Sequence, residues 1–221
     1  MSRREHITSQ SYIDWLKSLG CLVYLPLSAD GDLKDRISGV SAQTTGYGSL
    51  IWDSNRNSYV VKSPSSGLPG RSTLLLDNGF TKTWFSNNEI TSLQTVEMIT
   101  KTSGKGCRTI SPKSSTVTTI QSIAATYGGS GNCSAWPNGW VNCAYSTNAS
   151  IRSYYDNGVL IGSGAAYSPY LPSNWTMNGT GLFIGTGDGS NYTNVEFAIK
   201  EIYIFDAVLD LTTIRKIQGY E

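Results

Sequence analysis

The feature that most constrains the fold is a series of short β-prone runs that recur between turn-forming clusters from Leu50 onward. The runs are rich in Val, Ile, Leu, Thr and Tyr, and no segment between them has the length and apolar spacing of a helix. In chain order they are SYVVK, STLLL, KTWF, QTVEMITK, CRTI, TTIQSIAATY, WVNCAYS, the segment 150–164, GLFIG and EIYIFD. This arrangement predicts an all-β chain, a two-sheet antiparallel β-sandwich or jelly roll, and argues against a doubly wound nucleotide-binding fold.

The segment 150–164, SIRSYYDNGVLIGSG, is the clearest hairpin in the chain. Asn157-Gly158 tolerates the positive φ angles of a primed two-residue turn, which matches the twist of the flanking strands. Strand alternation places Ile151 and Tyr155 on one face, and the apolar run after the turn is predicted to stop at Gly162. Because an isolated hairpin is not stable in water, this one must belong to a larger sheet.

Residues 8–19 are predicted to form a short N-terminal helix, with Thr8 or Ser9 as its N-cap and Gly20 as its C-terminal stop. Its apolar stripe consists of Tyr12, Trp15, Leu16 and Leu19. We expect this stripe to dock on a sheet; an arm that binds a partner is the alternative.

A short C-terminal helix is predicted after the last strand, where Asp210 can cap the segment LTTIRKIQGY. Its expected apolar face consists of Leu211, Ile214 and Ile217. Because a single sandwich commonly takes about 200–250 residues, we divide the 221 residues into an N-terminal helical arm, residues 1–19, and one sandwich domain, residues 20–221.

The charge of the chain excludes several classes of partner. Charged residues make up 15% of the sequence, against about 25% in an ordinary soluble protein. The 17 Lys and Arg nearly balance the 16 Asp and Glu, so the net charge of +1 gives no field that would gather nucleic acid or an anionic membrane. No apolar run approaches the roughly 18 residues needed for membrane insertion. The partners that fit this composition are a surface glycan or protein neighbours in an assembly, including a homo-oligomer.

The first fifteen residues contain no apolar core of a secretion signal. A protein that meets an outer surface without such a signal can be made in the cytoplasm and released by lysis. This favours a bacteriophage virion surface; an extracellular or cell-surface location is the alternative.

The sequence predicts no metal site. His6 is the only histidine, which leaves no His-based zinc site inside the sandwich. Asp30, Asp32 and Asp35 lie close together, but they lack the order of acidic ligands, central Gly and distant Glu of an EF-hand. We interpret them as Asx turns and solvated loop charges, so no cofactor is expected, with calcium left open.

The four cysteines, Cys21, Cys107, Cys133 and Cys143, do not have the spacing of zinc knuckles. Buried free thiols on strands are the favoured interpretation. A disulfide between Cys133 and Cys143 is the alternative, and it requires an oxidising compartment.

Four stretches together resemble the concanavalin A-like lectin/glucanase superfamily in its laminin-G-like branch. They are LVYLPLSADGDLKDRISG with its Asp-x-x-Ser-Gly, LQTVEMITK, the pair WVNCAYS and SYYDNGVLIG, and the closing passage GLFIGTGDGSNYTNVEFAIKEIYIFDAVLDLTTIRKI. They occur in the family's order over some 200 residues. The resemblance implies a jelly roll with a short terminal helix, a fold that serves lectins, glycosidases, adhesion modules and spacers alike.

Catalysis is not expected. Glycoside hydrolysis needs two carboxylates, and catalytic members of the superfamily supply them in a Glu-x-Asp-x-x-Glu pattern that does not occur here. Glu97 and Glu201 are predicted to be solvent-facing strand residues. A Ser-His relay is excluded because His6 lies outside the sandwich.

Two loops have the chemistry of sugar recognition, in which an aromatic ring covers the apolar face of a pyranose and amide or carboxylate groups hold its hydroxyls. The candidate residues are Tyr127, Trp136 and Asn138 in one loop, Asp188, Asn191 and Tyr192 in the other, and Trp175 as a third position. By contrast, Trp52, Trp84 and Trp140 adjoin strands and are predicted to be core residues.

The sequence therefore predicts a non-catalytic surface recognition or assembly module. The preferred hypothesis is a bacteriophage virion structural or decoration protein with a lectin-like fold. The alternative is a carbohydrate-binding module of a secreted or cell-surface bacterial protein.

Overall fold

The computed structural model describes residues 9–27, 32–62, 73–79, 82–83, 96–104, 110–112, 141–147, 151–156, 158–165, 176–177, 182–184 and 196–219. Short strands joined in antiparallel pairs make up most of this part of the chain, with one helix near each end. The elements are α1 Gln10–Ser18, β1 Cys21–Leu25, β2 Gln43–Thr44, β3 Ser49–Asp53, β4 Ser58–Lys62, β5 Leu74–Leu76, β6 Lys82–Thr83, β7 Val96–Gly104, β8 Ile110–Pro112, β9 Val141–Thr147, β10 Ile151–Asp156, β11 Val159–Ala165, β12 Thr176–Met177, β13 Leu182–Ile184, β14 Glu196–Phe205 and α2 Leu211–Gln218.

The strands form a large sheet of eight strands and a small sheet of four. The large sheet has the order β11-β10-β9-β7-β14-β4-β3, with β1 also paired to β14, and the small sheet has the order β2-β5-β13-β8. Strands β6 and β12 form a separate pair. The predicted all-β antiparallel β-sandwich with two short helices is confirmed.

Strand β14 is the centre of the large sheet. It pairs with β7 along one side, and on the other side with β4 in its first half and β1 in its second half. Tyr203 and Phe205 face the helices, whereas Ile202 and Ile204 alternate with them and point to the opposite face. All four are fully buried, which explains why this strand reads as a nearly continuous apolar run.

Helices α1 and α2 lie on one face of the large sheet and share its core. Their buried residues form one cluster with residues of β1, β9 and β14, namely Tyr12, Ile13, Leu16, Cys21, Tyr24, Ala144, Tyr203, Phe205, Leu209, Ile214 and Ile217. Lys216 lies over the Trp15 ring at 5.3 Å from its centroid, joining the two helices at the surface. The predicted docking of the N-terminal helix is confirmed; the boundary between arm and domain at residue 19 stays a prediction.

Local signals set the ends of α1. The Ser9 side chain accepts a hydrogen bond from the Tyr12 N–H at 3.3 Å, as an N-cap does. Beyond the helix, Gly20 has φ +80°, a left-handed conformation that stops the helix at little cost for glycine. The helix begins two residues later than predicted, because the cap is Ser9.

Helix α2 begins as predicted, with a different buried face. The Asp210 carboxylate accepts from the Thr213 N–H at 2.7 Å, and this hydrogen bond lowers the pKa of Asp210. Leu211 is 39% exposed, so its assignment to the apolar face was wrong. Gln218 is buried in its place and donates from Nε2 to the Asn142 carbonyl at 3.1 Å. The buried face of α2 thus includes Gln218 in the last turn and leaves out Leu211 in the first turn.

Asp35 corrects the interpretation of the acidic turn. It is completely buried, not solvated. Its Oδ1 accepts from the main-chain N–H groups of Tyr24 and Ile37 at 2.9 and 3.0 Å. Its Oδ2 accepts from Ser38, through both N–H and Oγ, and from the Asn78 side chain at 3.2 Å. Asp35 therefore ties β1, the following turn and the segment after β5 together.

The other acidic residues of that turn differ from Asp35. Asp32 accepts from the Lys34 N–H at 3.0 Å and pairs with Arg36, which agrees with the predicted Asx turn. Asp30 lies outside the described residues.

Glu201 is also buried, at 4% exposure, so its prediction as a solvent-facing residue was wrong. It lies in the β14–β7 bulge between Ile199 and Ile202, two residues before Tyr203, so strand alternation places it on the helix-covered face with Tyr203. The Tyr203 hydroxyl lies 3.3 Å from Glu201 Oε2 and 3.3 Å from the Tyr12 hydroxyl. The prediction failed because the sequence does not show that α1 and α2 cover this face of β14.

The hairpin forms as predicted, with β10 and β11 paired and Gly158 at φ +74°. Strand β11 continues through Gly162 to Ala165, so the predicted stop was too early. Tyr155 packs against the helix-covered core.

Outcomes for the remaining predicted core residues vary. Cys21 is a buried free thiol on a strand, as predicted, and burial raises its pKa. Cys107 and Cys133 lie outside the described residues.

Trp52 is only half-buried and packs edge-on against Tyr59 at 5.1 Å, while Trp84 and Trp140 lie outside the described residues.

Three strands were not predicted from the sequence: β2, β3 and β12. Of these, β3 matters most, because it forms one edge of the large sheet.

Candidate functional site

The two segments that contain the candidate loops are followed by strands that begin at the same end of the large sheet. Residues 113–140 lead into β9 and residues 185–195 lead into β14. Val141 at the start of β9 and Ile199 near the start of β14 are both paired with Thr102 of β7. The two strands are therefore about 10 Å apart, two strand spacings. We call this end of the sheet, where β9 and β14 begin and β7 and β4 finish, the loop end.

Thr73 joins the two sheets at the loop end. Its hydroxyl donates to the Lys62 carbonyl at 2.8 Å in the large sheet, and its N–H donates to the Ile184 carbonyl at 3.0 Å in the small sheet. Ile184 is the residue before the loop 185–195, and Lys62 pairs with Glu196, the residue after it. Thr73 thus bridges the two attachment points of that loop.

The chain packs closely around Thr73. A Cβ atom at Gly48 would collide with the Thr73 hydroxyl and the Lys62 carbonyl, so only glycine allows the chain to pass here. The Thr45 N–H donates to the Thr73 carbonyl at 2.9 Å. This close packing, together with the burial of Thr73, makes the junction a fixed support for the loop.

The tip of the β10–β11 hairpin also lies at the loop end. Asp156, the last residue of β10, is paired with Cys143, two residues into β9. After the turn, Val159 is 60% exposed and Leu160 is 47% exposed. An apolar surface therefore adjoins the place where residues 113–140 join the sheet.

Helix α2 supports the start of β9 from the other side. The hydrogen bond from the Gln218 side chain to the Asn142 carbonyl fixes the second residue of β9. The last turn of α2 thereby connects the helix-covered core to the loop end.

The candidate binding residues of both loops, Tyr127, Trp136, Asn138, Asp188, Asn191 and Tyr192, lie outside the described residues, as does Trp175. The described strands bring together the attachment points of the first two groups, whereas Trp175 precedes β12, which pairs with β6. Sequence reasoning missed Thr73, Val159 and Leu160. Only the run VLI after Asn-Gly hinted at the exposed tip.

Titratable groups in the described core are sequestered from solvent. Burial, and secondarily the Glu201 carboxylate, raises the pKa of Tyr24 and Tyr203. Their rings stack at 4.6 Å under α1. Both hydroxyls therefore lie inside the helix-covered core.

Within the described ranges, no group of three His, Cys, Asp or Glu side chains could hold a metal ion. The same part of the chain contains no helix long and apolar enough to cross a membrane.

No protein-family profile matches the sequence, and no curated protein matches it. Solved structures do. One is the binding domain of botulinum neurotoxin DC in complex with rat synaptotagmin II, which is 11% identical with a TM-score of 0.57 over 90% of this chain and 51% of that chain. Another is a structure of botulinum neurotoxin type C, whose uptake into cells depends on interaction with two ganglioside molecules; it is 14% identical with a TM-score of 0.57 over 96% of this chain and 52% of that one.

A third is the binding domain of Paraclostridial Mosquitocidal Protein 1, which is 11% identical with a TM-score of 0.55 over 90% of this chain and 52% of that chain. The chain thus spans about half the length of these structures. At such low identity, the likeness shows the fold alone. The chain therefore has the β-sandwich fold that these toxin structures contain.

Proposed function

We propose that this chain is a non-catalytic recognition module that binds a glycan at the loop end of its large sheet. The observation that carries the proposal is the shared pairing of Val141 and Ile199 with Thr102, which brings the attachment points of two sugar-compatible loops side by side. In the proposed site, the rings of Tyr127, Trp136 and Tyr192 cover the apolar face of a sugar. Asn138, Asp188 and Asn191 bind its hydroxyls.

Structural relatives support this choice of ligand. Cell entry of botulinum neurotoxin type C depends on interaction with two ganglioside molecules, and the DC binding domain forms a complex with rat synaptotagmin II. The resemblance of the sequence to laminin-G-like members of the concanavalin A-like superfamily supports the same class of function. Glycan recognition on an outer surface is therefore the proposed role, and a bacteriophage virion is its proposed location.

The test is retention of the purified protein on an oligosaccharide panel that includes sialylated ganglioside headgroups. Trp136→Ala should weaken retention at least about tenfold, because an aromatic anchor carries a large share of binding energy in such sites. Tyr47→Ala is the matched control, since Tyr47 is an exposed ring outside both loops. Both variants should keep the native circular dichroism spectrum.

Two results would overturn the proposal. One is the absence of retention on every oligosaccharide. The other is retention that survives both Trp136→Ala and Tyr192→Ala.

A second candidate function is assembly with protein neighbours in a virion, without glycan binding. The exposed apolar residues Ile51, Val159 and Leu160, at the two edges of the large sheet, favour it. A particle that requires this chain for assembly, together with no glycan retention, would support this candidate over the first.

A further inference from the structure

Asn78 lies two residues after the end of β5 and contacts a buried carboxylate. Its side chain donates from Nδ2 to Asp35 Oδ2 at 3.2 Å. Asp35 is completely buried. Its other partners are the main-chain N–H groups of Tyr24, Ile37 and Ser38 and the hydroxyl of Ser38. The described contacts of the Asp35 carboxylate are therefore with uncharged donors and include no cation.

The residue after Asn78 is Gly79, so the two form an Asn-Gly pair. The sequence has four such pairs, and this is the one that the structure describes at both positions. Gly79 is exposed and has φ +74°. No described atom beyond the adjoining residues lies within 4 Å of the position that a Cβ would take there. Solvent base can therefore reach this turn, and neighbouring side chains do not crowd it.

An Asn-Gly pair can lose the asparagine amide without an enzyme. Base removes the proton of the glycine N–H, and the nitrogen then attacks Cγ of the asparagine side chain. A succinimide ring forms as the side-chain nitrogen leaves as ammonia. Water then opens the ring and gives aspartate or isoaspartate, so water is consumed and ammonia is released in equal amounts. Glycine favours the attack because it has no side chain that shields its nitrogen.

We propose that Asn78 is a site of spontaneous deamidation, and that the new carboxylate breaks the connection that Asp35 makes between β1, the following turn and the segment after β5. The reaction replaces an amide donor, 3.2 Å from Asp35 Oδ2, by a second anion. Two carboxylates so close together at a buried site repel each other strongly. In the isoaspartate product the main chain is also longer by a methylene group, which displaces Gly79 from its turn.

The proposed reaction links the age of the protein to its stability. Asp35 accepts from the Tyr24 N–H of β1 as well as from Asn78, so a carboxylate that displaces Asp35 weakens both contacts. The free energy of unfolding should therefore fall as the converted fraction grows. The inference goes beyond glycan recognition and does not depend on it, because no candidate binding residue takes part.

The first experiment follows the side chain itself. The full chain is incubated at mildly alkaline pH, and peptide mass spectrometry measures how much of Asn78 becomes aspartate or isoaspartate over time. Asn55 is the internal control, because it lies in an exposed turn and is followed by Arg56 in place of glycine. Asn78 should convert at least about tenfold faster than Asn55, since attack by a glycine nitrogen has the lower barrier.

The second experiment measures the effect on stability by urea denaturation. Asn78→Asp has the side chain of the product and should lower the denaturation midpoint. The shift should exceed that of Asn78→Ala, which removes the donor without adding a charge. Asn55→Asp adds the same charge at an exposed turn and should leave the midpoint unchanged.

Ageing of the native chain connects the two measurements. Its midpoint should fall toward that of Asn78→Asp as the converted fraction rises. Asn78→Gln keeps an amide but would have to close a larger, less favourable ring, so its midpoint should stay constant during the same incubation. If Asn78→Asp does not fold, the aged native chain takes its place, and its midpoint must fall with conversion. Conversion of Asn78 no faster than that of Asn55, or a converted chain as stable as Asn78→Ala, would overturn the proposal.

Discussion

The two helices cover one region of the large sheet and do not cover another. Both regions contain large apolar side chains, which are buried in the first region and exposed in the second. Under α1 and α2, Tyr203 and Phe205 are fully buried. At the β3 edge, Ile51 is also a large side chain in an antiparallel strand, yet it is mostly exposed. The helices make the difference, because they supply the second surface that burial requires.

The helix-covered region is expected to determine the stability of the fold, and the uncovered region is expected to determine what the protein binds. The helix-covered region holds the buried hydrogen bonds of Asp35, Tyr203 and Gln218. The loop end has the exposed residues Val159 and Leu160 and the attachment points of the candidate loops, and the β3 edge has the exposed Ile51. Changes in the first region should therefore lower the free energy of unfolding, and changes in the second should alter contacts while leaving the fold intact.

The largest expected effect is that of Asp35→Ala. The substitution removes the buried acceptor of the Tyr24, Ile37 and Ser38 N–H groups, which should cost roughly 3–5 kcal/mol of unfolding free energy. Urea denaturation measures it. Asp32→Ala is the control: its ion pair with Arg36 is partly exposed, so the loss should stay below about 1 kcal/mol. Equal losses of unfolding free energy in the two variants would show that Asp35 does not hold β1, the following turn and the segment after β5 together.

The next effect tests how firmly α1 belongs to the core. Leu16 is completely buried, so Leu16→Ala should cost about 2–5 kcal/mol. Leu211→Ala, at an exposed position of α2, should change stability by less than about 0.5 kcal/mol. Thermal and urea unfolding of both variants measure the contrast. A small loss for Leu16→Ala would show α1 to be a detachable arm.

A smaller effect is expected at the junction between the sheets. Thr73→Val keeps the shape of the side chain and removes the hydroxyl that donates to the Lys62 carbonyl, which should cost about 1 kcal/mol. Because Thr73 bridges the attachment points of the loop 185–195, glycan retention should also weaken. Thr73→Ser keeps the hydroxyl and should restore retention. Unchanged glycan retention in Thr73→Val would show that Thr73 does not position the loop 185–195 for binding.

The smallest effect concerns the buried tyrosines and depends on pH. Tyr24 Oη is buried, and its interaction with the Tyr203 hydroxyl does not have the geometry of a full hydrogen bond. Tyr24→Phe should therefore be close to neutral at pH 7, whereas Tyr203→Phe should cost about 1 kcal/mol. Burial raises the folded-state pKa of both tyrosines above the ordinary 10.0. Their contribution to stability is complete below that value and declines as the pH rises further.

Unfolding measured at alkaline pH tests the predicted loss of stability as the pH rises. Tyr24→Phe should make the loss of stability above pH 10.0 less steep than in the native chain. Urea titrations at neutral and alkaline pH, with tyrosinate absorbance as a second signal, measure it. An unchanged slope would show that Tyr24 ionises without unfolding.

Local signals in the sequence predicted much of this architecture. The Ser9 and Asp210 caps and the Asn157-Gly158 turn act over a few residues, so they can be read without knowing the tertiary structure. The same holds for the short β-prone runs between turn clusters that identified β4, β9 and β14, and for the alternation in β10.

The remainder depended on tertiary contacts. Asp35 was interpreted as a loop charge because the sequence does not place Tyr24 and Asn78 beside it. Glu201 was interpreted as solvent-facing because the sequence does not show that the helices cover its face of β14. For the candidate site, the sequence identified the aromatic and amide side chains of the two loops. The proximity of their attachment points required the register of β7 with both β9 and β14, which is long-range.

Hydrogen–deuterium exchange, with and without a saturating oligosaccharide retained on the panel, tests the central claim most directly. The account predicts that α1, β1 and the second half of β14 exchange slowest in both states. Bound oligosaccharide should add protection only in peptides from residues 113–140 and 185–195. Protection that appears instead over the helix-covered face or along β3, with none in those two segments, would contradict it.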